Sequence, residues 1–159
     1  MTEQQQVADD GVLTRIGQAT MLLHGGDREE ARNRFGALWA QIGPDGDPLQ
    51  RCTLAHYMAD AQDDPDAELA WDLRALLAAE ELTEERPAAH DAAVALRALY
   101  PSLHLNLAAD YLKLQRPDAA RIHLDRARAA SDALDDDGYG DGVRAAIERL
   151  EARLRERDR

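Results

Sequence analysis

The chain has 159 residues, about one domain on the usual scale of roughly 100–200 residues. It holds 30 Ala and 22 Leu against only 13 Val, Ile and Thr together, a balance that excludes an all-β fold and speaks against a large sheet. With 31 acids, 19 bases and a net charge of −12, it lacks the basic face that nucleic acid or an anionic membrane requires, and it favours neutral or basic partners.

Residues 1–10 are polar and acidic and are expected to form a disordered tail. They show no basic stretch followed by an apolar run, so they do not read as a secretory signal. No window approaches 18 uninterrupted apolar residues, so no membrane span is expected and a cytoplasmic location is the default. Cys52 stands alone, which excludes an internal disulfide.

A single helical domain is expected over 11–157. The first helix runs from about Gly11 to His24, with Val12, Ile16, Ala19 and Leu23 on one face and Gly25-Gly26 as its stop. The second starts near Asp27 and carries Ala31, Phe35, Leu38, Trp39 and Ile42 at helical spacing. The third begins at Pro48 and presents Leu54, Tyr57, Met58 and Ala61. The fourth has Asp64 as its N-cap and Pro65 in its first turn, and presents Leu69, Leu73, Leu76 and Leu77. The fifth runs from about Pro87 to Tyr100. A sixth starts at Pro101 and is either separate or the second half of one bent helix. The next follows Pro117 with Ala120, Leu124 and Ala127. After a polar loop over 135–142, a last helix carries Val143, Ile147, Leu150 and Leu154, with Glu151 and Arg155 spaced for an ion pair. Short loops make successive helices antiparallel hairpins.

The best repeat-like segment is Leu107-Ala108, Tyr111, Ala120, Leu124 and Ala127, spaced L-A-x2-Y-x8-A-x3-L-x2-A. A second copy uses Ala19, Leu22, Ala31 and Phe35. A middle copy uses Leu54, Ala55, Met58, Ala67 and Trp71, with a rival register on Tyr57, Ala61, Ala70 and Arg74. This spacing resembles the tetratricopeptide repeat, in which small residues let paired helices approach and large ones fill the gap to the next hairpin. His104 stands where that family has tryptophan, and Asp132 where it has proline. The chain is similar to small stand-alone bacterial members of the family. The resemblance implies an all-α, short right-handed superhelix of stacked hairpins with a C-terminal capping helix. It implies a concave groove lined by Thr20, His24, His56, Asp60, Asn106, Ala109 and Lys113. The expected function is that of a non-catalytic adaptor or scaffold that holds a protein or peptide with some positive charge. Self-association into a homodimer is a further expectation.

Other chemistry is weaker. His56 and Asp60 share a helix face, and the alternative reading is a helical ligand- or metal-binding protein using them and nearby acids. No second His follows at metal-ligand spacing, so no metal and no cofactor are expected. The 135–142 loop lacks the first ligand and the closing Glu of a calcium loop. Cys52 lies four residues before His56, but acidic surroundings raise a thiol's pKa and argue against a nucleophile. No catalytic arrangement is expected.

Overall fold

The computed structural model describes residues 3–84, 90–132 and 134–158, with side chains over 11–81, 97–132 and 134–158. The described residues form seven α-helices and no strand: α1 Glu3–His24, α2 Arg28–Ile42, α3 Pro48–Asp60, α4 Pro65–Glu84, α5 His90–Lys113, α6 Pro117–Ser131 and α7 Gly138–Arg157. None is long and apolar enough to cross a membrane. The backbone is helical from Glu3, so α1 starts before the expected disordered tail ends. Its Glu, Gln and Ala residues favour helix, and Gly11 alone does not break it. The expected start at Pro87 lies outside the described residues. The fifth and sixth expected helices are one, with the wholly buried Pro101 inside it.

The chain divides into two compact units, Met1–Ala78 and Ala79–Arg159, with the boundary within α4. In the first, α1 packs against α2, and α3 packs against both. The expected stripes meet in its core: Val12, Ile16, Ala19 and Leu23 of α1, Ala31, Phe35 and Leu38 of α2, and Leu54, Met58 and Ala61 of α3. Ala19, Ala31 and Phe35 are wholly buried. The Phe35 and Tyr57 rings lie nearly parallel with centroids 6.3 Å apart, and Trp39 meets Trp71 edge to face at 5.1 Å. Trp71 packs against this core, whereas Arg74 of the rival register is exposed and lies over the Trp71 ring.

In the second unit, α5 and α6 form the tightest hairpin and α7 packs on both. Leu107, Ala108, Ala120 and Ala127 are wholly buried, and Leu124 nearly so. Val143, Ile147, Leu150 and Leu154 of α7 complete this core. Tyr139 ties α7 to α5 by donating to the Ala98 carbonyl at 3.1 Å. Glu151 pairs with Arg128 of α6, the cross-helix partner, in place of the expected Arg155.

Two turns close alike. After α1, Gly26 N–H donates to Leu23 and Asp27 N–H to Leu22. After α5, Gln115 N–H donates to Leu112 and Arg116 N–H to Tyr111. Each is a Schellman closure with a positive φ at its centre, +94° at Gly26 and +63° at Gln115. The end of α3 is closed differently. There, Arg28 and Arg32 of α2 donate to the carbonyls of Asp60, Ala61 and Gln62. Such carbonyls have no partner within their own helix.

Candidate functional site

The first unit holds four of the seven residues expected to line a groove. α1 delivers Thr20 and His24 to its last turn, and α3 delivers His56 and Asp60 to its own. Asp60 lies within electrostatic reach of His56, Glu68, His24 and Arg28. Desolvation by the surrounding protein raises the Asp60 carboxyl above its ordinary range, while His56, His24 and Arg28 oppose that rise and Glu68 adds to it. Burial lowers the His56 imidazole, and Asp60 pulls the other way. Thr20 is spent locally: its hydroxyl donates to the Ile16 carbonyl at 2.8 Å.

Asp63, just past α3, anchors this end of the unit. Arg28 donates to its carboxylate at 2.9 Å and Arg32 at 2.7 Å, and these bonds hold Asp63 below the usual carboxylate range. Its two cations sit on α2 and were passed over in the sequence, because their spacing to Asp63 means nothing until the helices are packed.

The second unit holds the other three groove candidates on α5. Asn106 and Ala109 are half-buried and Lys113 is exposed at the helix end. Ala109 and Lys113 stand 89 positions after Thr20 and His24, the same interval that relates Gln115 to Gly26. They therefore occupy the same places in the second hairpin that Thr20 and His24 occupy in the first.

A polar pair bridges the two helices of this hairpin. His104 Nδ1 of α5 and His123 Nδ1 of α6 are 3.1 Å apart. Their ring centroids are 5.4 Å apart with planes 22° from parallel. That separation exceeds the nitrogen–nitrogen distance by about one ring radius at each end, so the rings meet edge to edge through one N–H···N bond. Tyr100 flanks His104 and Tyr111 flanks His123, each in a near-parallel plane. Burial, then His123, then Arg126 push the His104 imidazole down to about 4. Burial and Arg126 lower His123 as well. Both rings are therefore neutral at pH 7, one donating and the other accepting. The one sign in the sequence was His104, at the place where the tetratricopeptide pattern it resembles has tryptophan.

Two carboxylates, Asp72 on α4 and Asp110 on α5, are almost wholly buried and were also passed over. Cys52 is wholly buried, which pushes its thiol up to about 12 and removes the thiolate that a nucleophile would need. Among the described residues, no three His, Cys, Asp or Glu side chains converge in a way that would hold a metal ion. No family model, no curated protein and no solved structure matches the chain.

Proposed function

We propose that the chain is a non-catalytic adaptor of tetratricopeptide-like build, and that the ends of α1 and α3 bind a protein or peptide segment carrying positive charge. The observation that carries this reading is the electrostatic coupling of Asp60 on α3 to His56 on the same helix and to His24 on α1, with Glu68 acting on it as well. Desolvation leaves Asp60 with an incomplete solvent shell, and a cationic side chain would stabilise its ionised form. The acidity of the neighbourhood supports the same partner: residues 60–86 hold ten acids and two bases.

The repeated hairpin is the second support. Ala19, Ala31 and Phe35 in one unit and Ala108, Ala120 and Leu124 in the other share one spacing, one burial pattern and one turn closure. Small residues at the contact let the helices approach, which is the packing logic of helical-repeat adaptors.

The test is a pull-down from native lysate with the tagged chain at low and moderate salt, followed by calorimetry of the recovered partner's basic segments. Binding that weakens with salt and falls about tenfold in Asp60→Asn supports the face. Binding unchanged in both Asp60→Asn and His56→Ala moves the site elsewhere. If binding persists in these variants but is lost in Asn106→Ala with Lys113→Ala, the corresponding face of the second hairpin is responsible.

A further inference from the structure

The first unit carries a cleft of about 280 Å³ between α1 and α2, lined by Arg15, Gln18, Arg34, Ala37, Leu38 and Gln41. This is near the lower end of the roughly 300–1,000 Å³ range of small-molecule sites. We propose that it holds a small organic anion, a carboxylate or phosphate monoester with a short apolar body.

The lining fits that ligand. Two guanidiniums from facing helices offer planar forks of donors matched to carboxylate or phosphate oxygens. Gln18 and Gln41 add amide donors at the rim, and the buried Leu38 with Ala37 provides an apolar wall. No Asp or Glu lines the cleft, in a chain whose acids outnumber its bases 31 to 19.

The second hairpin shows what this place needs. At the 89-residue interval, His104 stands where Arg15 does and His123 where Arg34 does. The two imidazoles close their gap with a hydrogen bond, because one neutral ring can accept from the other. Two guanidiniums cannot do the same, since both are donors only and both are cationic. An acceptor-rich anion completes the first hairpin as the second imidazole completes the other. Glu30 partly occupies Arg34 through an exposed pair on the same helix at 3.0 Å, so it competes with such a ligand.

The cleft is separate from the face proposed above. His24 lies nine positions after Arg15, two and a half turns on, and so on the opposite side of α1.

The experiment titrates the full chain, labelled with nitrogen-15, with phenyl phosphate, benzoate, inorganic phosphate and benzylamine. The expected result is saturable shifts around Gln18 and Ala37–Gln41 for the first two, weaker binding of inorganic phosphate, and none of benzylamine. Arg15→Gln or Arg34→Gln should weaken phenyl phosphate about tenfold, and Glu30→Gln should tighten it. Arg34 and Arg15 are exposed, so the variants should keep a folded spectrum. Absence of saturable shifts would overturn the proposal. So would undiminished binding in a folded Arg15→Gln, Arg34→Gln double variant, or benzylamine binding as well as benzoate.

Discussion

Gly26 and Gln115 occupy the same place in two helical turns 89 positions apart, and both adopt a positive φ. Only one of them is suited to it. In the left-handed region a Cβ crowds the following carbonyl, at roughly 1–2 kcal/mol. Glycine escapes that strain but costs part of it back in the entropy of the unfolded chain. Gln115→Gly should therefore stabilise the chain by up to about 1 kcal/mol, read as a rise in urea midpoint with an unchanged slope. A lowered midpoint would show that the Gln115 side chain contributes more than its strain removes.

The His104–His123 bond makes stability depend on pH. The His104 imidazole titrates near 6.5 when unfolded and at about 4 when folded, and His123 is lowered too. The unfolded chain thus binds more protons across that window. The contribution is complete above pH about 6.5 and is lost as pH falls towards 4. The groups facing the pair are Tyr100, Tyr111 and the cationic Arg126, so no carboxylate among those neighbours offsets the charge. Thermal melts at pH 7.5 and 4.5 should show a larger fall for the native chain than for His104→Phe. Equal falls would remove the pair from the explanation.

These two cases mark how far the sequence could be read. Ala19, Ala31 and Phe35 were legible because residue size at a helix contact leaves a fixed spacing, and Asp64 because capping is local: its carboxylate accepts from Ala67 N–H at 3.1 Å. His104 and His123 were not legible, since their meeting depends on the register that Ala108 and Ala120 impose on α5 and α6. His24, His56 and Asp60 were expected on one groove and do share one electrostatic neighbourhood. The cleft at Arg15 and Arg34 was missed because neither residue has a local motif, and its meaning emerges only beside the imidazole pair. The expected loop over 135–142 was read from three glycines. Asp137 instead caps a helix that begins at Gly138, accepting from Gly140 N–H at 2.8 Å.

Arg28 holds two kinds of acceptor, and separating them tests the closure of α3. It donates to the Asp63 carboxylate and to the carbonyls of Asp60 and Gln62. Asp63→Asn removes the exposed ion pairs with Arg28 and Arg32 but leaves the carbonyl bonds, so its effect should be small and should vanish in high salt. Arg28→Ala removes both and should cost about 1 kcal/mol or more, largely retained in salt. The check is a pair of urea curves at low and high sodium chloride. Equal losses in the two variants would assign the whole effect to the ion pair.

Gly140 is the glycine in α7 that the packing requires. A Cβ added there would stand 2.2 Å from the Asp135 carbonyl oxygen and 2.9 Å from the Arg144 guanidinium. The side chain of Arg144 can swing away, but the Asp135 backbone cannot move without disturbing the entry to α7. There, Asp137 caps the first turn and Arg144 itself donates to the Asp135 carbonyl at 3.0 Å. Gly138 and Gly142 have no atom within 4 Å of an added Cβ, so alanine there should be neutral or stabilising, since helix propensity favours it. Gly140→Ala should instead destabilise by about 1–3 kcal/mol, the usual range for overpacking. Amide exchange should localise the effect to the first turns of α7. If all three alanine variants raise stability alike, the start of α7 yields freely, and the close approach of Asp135 to Gly140 has no energetic consequence.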